Sequence, residues 1–451
     1  MFQITENKRS FLKNKKPTFY LADTCWSAFT NITDEDWDYY LEYRRSQGFN
    51  VIQVNMLWQW DSSETTLNYF PFEKDEYGNF IYDKRNDLYF DKAERMIKKA
   101  YEKDMTVALV LLWANYIPNT WASQMGVRQV GLFPKQLVES YVTYVVKRYD
   151  CYHPIYVISG DTDFQTDEVV NDYYGKTLAV IKSLNPKAIT TLHIRGRLQE
   201  IPNKLTTNNG IDFYMYQSGH NHNFPEMGYK LAEHFYQKEP IKPVINSEPC
   251  YEMMGFSRRE YGRFTRQDVR RVAWQSILSG ASAGITYGAH GIWSWHNSSL
   301  VFDSSVGEAF ETPYDWHDAL RFDGAWDYGY IRHFIERNNL FNLSPNQNLL
   351  MNGKDKLSES EGRFTKTSTD LPRLTAATEI RVAESENKIV VYIPSAIKVK
   401  LKGNLLEKNA YFINLENHLE SPAICQFDSS QEVTIFDMYK FVGDALLVID
   451  K

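Results

Sequence analysis

Residues 264–289, FTRQDVRRVAWQSILSGASAGITYGA, contain one full period of the pattern from which the fold can be read. Thr265, followed three residues later by Asp268, is a capping pair that opens a helix, and Val269, Val272, Ala273 and Ile277 recur on one face of it. The period then changes. AGITYGA (283–289) is a short β-rich apolar run of the kind found in strands buried on both faces. Seven runs of the same type precede it: FYLADT (19–24), NVIQVNM (50–56), TVALVLLW (106–113), IYVISGD (155–161), AITTLHI (188–194), IDFYMYQ (211–217) and PVINSE (243–248). Segments of helical period separate them. Thr33 with Asp36 opens the first over Trp37, Tyr40 and Leu41, with Gly48 placed to end it, and Pro134 stands at a first helical position ahead of Leu137, Tyr141 and Val145. Eight strands in a βα rhythm predict an α/β fold, a closed (β/α)8 TIM barrel over residues 1–345.

From about Leu349 the rhythm is replaced by alternation, in EIRVAES, KIVVYIPSAIKVKLKG, EVTIFDMY and DALLVID. Ile397, Val399 and Leu401 alternate with lysines, as in a half-buried strand. Residues 346–451 are therefore expected to form a small antiparallel β-sandwich packed on the barrel. Between the second strand and the next helix, Trp58 to about Asn86 reads as a long irregular insertion at the mouth of the barrel, where such loops build sites.

Composition narrows the function. With 43% hydrophobic and 24% charged residues, a formal net charge of −7 and no basic run, the chain of 451 residues has no electrostatic footprint for nucleic acid. No apolar stretch has the length of a membrane span or a signal peptide, so no membrane partner and a cytoplasmic location are expected. Cys25, Cys151, Cys250 and Cys425 lie far apart without a CxxC pair, which suits reduced thiols better than a disulfide framework or a zinc site. His220 and His222 make half of a metal site and lack a third ligand at a recognisable spacing, so neither metal nor cofactor is expected. The 11 Trp and 30 Tyr supply core rings and also the flat faces on which a sugar's C–H groups stack.

Barrel sites are built at the C-terminal ends of the strands, and here those ends carry both acids and rings. Hydrolysis of a glycosidic bond with retention needs a protonated carboxyl beside the leaving oxygen and an ionised one facing the anomeric carbon. Asp161 after the fourth strand and Glu248 after the seventh supply that pair, with Asp163, two residues on, as the alternative acid. Trp26, Trp113, Tyr251, Tyr287 and Trp293 are the candidate stacking faces, and Asp23, His193, Gln217, His220 and His290 the candidate partners of sugar hydroxyls. The expected partner is an oligosaccharide.

The segments ADTCWSAF, GFNVIQVNM, ISGDTD, MYQSGH, INSEPCYE, FTRQDVRRVAWQSILSGASAGITYGAHGIW and SPNQNLL resemble the apiosidase-like family, glycoside hydrolase family 140. The resemblance runs through the barrel and into the C-terminal sandwich, a domain type labelled collagen-binding in this family. It implies a retaining β-glycosidase of the clan A type, with Asp161 as acid/base and Glu248 as nucleophile. It also implies release of apiose from the side chains of the pectin rhamnogalacturonan II, and the long 58–86 loop favours the closed pocket of an exo-acting enzyme that removes a terminal sugar. Ser159 departs from the family's Gly-Gly-Asp triplet, and Gly160-Asp161 departs from the broader clan's Asn-Glu. The loop LLWANYIPNTWASQ (111–124) and HIRGR (193–197) differ from the expected pattern and bear on the sugar subsite. Two other readings stand beside this one: a clan A endoglucanase or mannanase acting on β-glucan or β-mannan, and a non-catalytic carbohydrate-binding barrel, which would not require both carboxylates.

Overall fold

The computed structural model describes residues 1–125, 129–208, 210–302, 310–352 and 377–451. Each of the eight apolar runs forms a strand: β1 Tyr20–Thr24, β2 Val51–Asn55, β3 Thr106–Val110, β4 Ile155–Val157, β5 Thr190–Thr191, β6 Tyr214–Tyr216, β7 Val244–Asn246 and β8 Gly284–Tyr287. They make one parallel sheet in the order β5-β4-β3-β2-β1-β8-β7-β6. The seam between β5 and β6 is joined by the Asp212 N–H donating to the Thr190 carbonyl at 2.7 Å and by the Thr191 hydroxyl donating to the Phe213 carbonyl at 2.8 Å. This is the expected (β/α)8 barrel. Its outer helices are α1 Asp34–Ser46, α2 Asp87–Glu102, α3 Val138–Tyr149, α4 Lys176–Leu184, a single turn α5 Asn203–Thr206, α6 Met227–Gln237, α7 Arg266–Ile277 and α8 Gly324–Arg337.

The helix signals act where they stand in the sequence. The Thr265 hydroxyl accepts the Asp268 N–H while the Asp268 carboxylate accepts the Thr265 N–H, satisfying two of the donors that a helix start leaves over. Thr33 accepts the Asp36 N–H in the same way, and Gly48, with φ of +92°, turns the chain away after α1. A three-stranded antiparallel sheet, Phe2–Ile4, Phe11–Lys13 and Lys16–Thr18, closes the bottom of the barrel, with Phe11 edge-on to Phe213 at 5.1 Å. The insertion after β2 is only partly irregular: Phe72–Lys74 and Phe80–Arg85 pair as a hairpin that buries Phe72 against Tyr82 and Phe133.

Beyond the barrel two antiparallel sheets face each other. One runs β9 Ser344–Pro345, β10 Arg381–Glu384, β11 Lys388–Ile393, β17 Ala445–Asp450, β13 Ala410–Asn414 and β14 Glu420–Pro422 from edge to edge, and the other β12 Val399–Lys402, β16 Val433–Phe436 and β15 Cys425–Asp428. Val391, Leu447 and Ile449 meet Val399, Leu401 and Phe436 of the smaller sheet. Their neighbours Val390, Tyr392, Leu446 and Val448 join the core of the barrel. The larger sheet is thus a middle layer with no polar face in its centre. Ile397 lies before β12 and is exposed, so the alternation carries only Val399 and Leu401 inward.

The joint is charged as well as apolar. Arg270 of α7 is 1% exposed and reaches three carboxylates: Asp327 of α8 at 2.9 Å, Glu416 at 2.8 Å and the buried Asp444, which also accepts the Tyr392 hydroxyl at 2.9 Å. Replacing Arg270 with Met leaves Asp327 short of a partner and Asp444 without a cation, and should cost about 3–5 kcal/mol in denaturant unfolding. Deleting 346–451 should give an aggregating barrel; a soluble truncated form of unchanged stability would overturn the packing role.

Candidate active site

The central group at the mouth is Glu248, at the end of β7 and 7% exposed. Three side chains from β5 and β6 converge on it. Gln217 Nε2 donates to Oε1 at 2.8 Å, His220 Nε2 lies 2.9 Å from the same oxygen, and His193 Nε2 lies 3.0 Å from Oε2. The Asp161 N–H donates to His193 Nδ1 at 3.0 Å, so that nitrogen carries no proton and the ring's proton is on Nε2, facing Glu248. Burial by itself would push the Glu248 pKa up; the contacts from His193 and His220 outweigh it and bring the group to about 2.

Asp161 stands in the opposite electrostatic state. Burial, then the charge of Glu248, then that of Asp61 hold its pKa well above the ordinary carboxylate range. Its backbone is left-handed, with φ of +52°, a conformation that Asp tolerates better than most residues. The preceding residue has to be glycine, because a Cβ on Gly160 would lie 2.2 Å from the Trp113 ring. Gly288 after β8 has the same role toward Tyr251, whose ring lies 2.0 Å from where a Cβ would be.

Both acids line one cavity of about 330 Å³ together with Trp26, Trp113, Gln217, His220, Tyr251 and Trp293. Trp26 meets Trp113 edge-on at 5.0 Å and its indole N–H donates to the Tyr251 hydroxyl at 3.3 Å. Several buried polar atoms of this lining have no protein partner: Trp113 Nε1, Gln217 Oε1, His220 Nδ1 and Ser257 Oγ. Each would be costly to leave dry, so water or a hydroxylated ligand belongs there.

Four of the expected sugar contacts are displaced. Asp23 is fully buried on the helix side of β1, where its carboxylate accepts Arg44 Nε at 2.6 Å and the Tyr40 hydroxyl at 2.7 Å. Tyr287 also points outward from its strand and donates its hydroxyl to Glu252. His290 accepts the Trp293 indole N–H at 3.3 Å, which puts its own proton on Nε2, 3.0 Å from the Glu311 carbonyl; burial lowers its pKa to about 3, and the neutral ring frames a loop. His193 lies beneath the cavity, holding Glu248 and the Asp161 backbone rather than a sugar hydroxyl. Asp163, the alternative acid, is paired with Arg195 at 3.2 Å and accepts Gln165 Nε2 at 2.8 Å, and it lies outside this lining. His220 and His222 part company too, since the latter stacks on Phe256 at 4.2 Å. Among the described residues no cluster of His, Cys, Asp or Glu is arranged to hold a metal ion.

The cavity also has walls that the sequence marked only as loop segments or not at all. Trp60 and Asp61 come from the insertion after β2, Trp121 from the loop after β3, and Arg197, Ser257 and Arg258 from later loops. Trp60 is edge-on to Trp121 at 5.9 Å, and the Trp121 indole N–H donates to the Asp161 carbonyl at 2.7 Å, which ties the wall to the acid's own backbone.

Residues 5–342 match the family described as apiosidase-like, catalytic domain. Among solved structures, a protein titled glycoside hydrolase aligns over 100% of this chain and 96% of its own, at 21% identity and a TM-score of 0.76. A glycoside hydrolase family 5 structure from Bacteroides vulgatus aligns over 100% and 93%, at 20% identity and a TM-score of 0.77. At such identities the likeness is one of fold. No curated protein matches the chain.

The two kinds of buried acid should separate on substitution. Asp23→Ala strands the fully buried Arg44, so it should cost about 3–5 kcal/mol of stability. His193→Ala should leave the melting temperature much less changed and lower turnover, because Glu248 loses one of its three clamps. Comparison of melting curves with turnover per folded molecule checks both; a stable Asp23→Ala with impaired turnover would return Asp23 to the site.

Proposed function

The chain belongs to the apiosidase-like family of glycoside hydrolases, and on that footing we propose that it is a retaining exo-β-glycosidase that removes a terminal sugar from a pectic oligosaccharide. The observation that carries the reading is a pair of carboxylates on one cavity in unlike settings, Glu248 clamped by Gln217, His220 and His193 with its pKa lowered, and Asp161 with its pKa raised by burial and by the Glu248 charge. In the first step Asp161 protonates the departing oxygen as Glu248 attacks the anomeric carbon and forms a glycosyl ester. In the second, the Asp161 carboxylate takes a proton from water as that water displaces Glu248, and both groups return to their starting states. His193, Gln217 and His220 fix the direction of the attacking carboxylate and release their grip on its charge as the ester forms.

The Trp60–Trp121 pair walls one side of the cavity, which favours a chain end over the open cleft that an endoglucanase or mannanase needs. Arg195, Arg197 and Arg258 at the same cavity favour an acidic neighbour for the departing sugar, as in pectin. The four unpaired thiols suit a reducing compartment, where such a substrate would arrive already shortened. A barrel used only for recognition has no need of the split between the two acids.

Glu248→Gln should abolish turnover whatever the leaving group. Asp161→Ala should still transfer the sugar from an acidic phenol, and added azide should restore the second step and yield a glycosyl azide of retained configuration. Rescue in Asp163→Ala with a silent Asp161→Ala would move the acid two residues on, and an inverted product from the unmodified enzyme would overturn retention. The pH profile gives a further check. Activity needs Glu248 ionised and Asp161 protonated, so with Glu248 at about 2 and Asp161 raised it should persist well into the acid range and fall on the alkaline side. A profile rising into alkali would refute these roles.

A further inference from the structure

Asp61 lies on the insertion after β2, beside Trp60 of the aromatic wall, and its side chain lines the cavity that holds Asp161 and Glu248. It is held there by a relay that begins in the barrel. Asn55, the last residue of β2 and 1% exposed, donates from Nδ2 to Gln59 Oε1 at 2.9 Å. Gln59, equally buried, donates from Nε2 to Asp61 Oδ1 at 2.6 Å. Asn55 Oδ1 accepts the Leu57 N–H at 3.1 Å, so the amide cannot turn over without losing a bond. A strand end thus sets the direction of a carboxylate two loop residues beyond its last contact. This is how a binding group is preorganised, since the cost of ordering it is met before the ligand arrives.

The surrounding atoms indicate what such a group would bind. The wall is aromatic, with Trp60 and Trp121 edge to face, and the lining residues Trp113, Gln217, His220 and Ser257 each hold a buried polar atom without a protein partner. A ligand that satisfies both is flat, apolar on one side and hydroxylated at its edge. A carboxylate in that setting accepts two neighbouring O–H groups with its two oxygens, a geometry that a single hydroxyl or an apolar group cannot reproduce. We propose that Asp61 is a substrate-contacting residue of this site, whose carboxylate receives a vicinal diol of the terminal sugar and so decides which sugars are accepted. The inference rests on the glycosidase reading. It has a second consequence: the charge of Asp61 is among those that raise the pKa of Asp161.

The test uses the full chain with Asp61→Asn, which keeps an oxygen for Gln59 to donate to and removes the charge. The probe is the nitrophenyl glycoside that the wild type cleaves fastest, together with its monodeoxy analogues. Wild type should lose on the order of 10- to 100-fold in kcat/KM on two adjacent deoxy positions. In Asp61→Asn the KM for the parent glycoside should rise by a similar factor, and removal of those two hydroxyls should then cost almost nothing. Removing a negative neighbour eases ionisation of Asp161, so the alkaline limb of the variant's pH profile should move to lower pH. A variant with wild-type KM and wild-type sensitivity to the deoxy analogues overturns the proposal while leaving the glycosidase reading intact. So does one that loses activity equally on every analogue with the alkaline limb unmoved, which is the mark of a loop merely displaced. A wild type inert toward all nitrophenyl glycosides and pectic oligosaccharides overturns the glycosidase reading and this inference with it.

Discussion

The organising constraint of this molecule is that a charged carboxylate must be kept ionised where water hardly reaches it. An isolated carboxylate buried like Glu248 would take up a proton instead. It escapes that outcome because β5 and β6 each deliver donors to it, and because the Asp161 N–H fixes which nitrogen of His193 holds the proton. Much else follows from that arrangement. The chain beyond β4 must pass close under Trp113 at Gly160 to bring the Asp161 amide to the imidazole, which is why no side chain is tolerated at Gly160. The same passage sets Asp161 in a left-handed conformation within reach of the Glu248 charge, which helps to raise the Asp161 pKa.

The fold was legible because each strand is buried on both faces and so appears as an unbroken apolar run, and because the helix starts carry their own polar caps. Thr265 with Asp268 is the plainest case, a local signal that tertiary contacts had no reason to override. The plug formed by Phe2–Ile4 and Phe11–Lys13 was not legible, since strands of three residues in a polar stretch carry too few positions for a period to emerge.

The site was legible to the level of which residues end each strand, and not to the level of where their side chains point. Asp23 and Tyr287 occupy strand positions that face the helices, where Arg44 and Glu252 await them. Strand polarity decides this, and a one-residue uncertainty in register inverts it. The partners that reveal their orientation are distant in sequence, Arg44 by 21 residues from Asp23 and Glu252 by 35 from Tyr287. Trp60, Asp61 and Trp121 were reached only as members of loop segments, for a different reason. They stand on loops, where no repeating pattern links a residue to a direction, and only the closed barrel brings the two loops together.

The joint at Arg270 bears on how the molecule is made. During synthesis α7 emerges with a guanidinium whose buried partner, Asp444, lies 174 residues further along the chain. Until that residue leaves the ribosome, the completed eight-stranded barrel offers Arg270 only Asp327 of its three carboxylates and leaves bare the apolar flank that Tyr392, Leu446 and Val448 will later cover. The nascent chain therefore holds a nearly finished catalytic half in an exposed, adhesive state for about five to twenty seconds at ordinary elongation rates. That interval places a demand on chaperones that the contacts of the mature enzyme do not reveal.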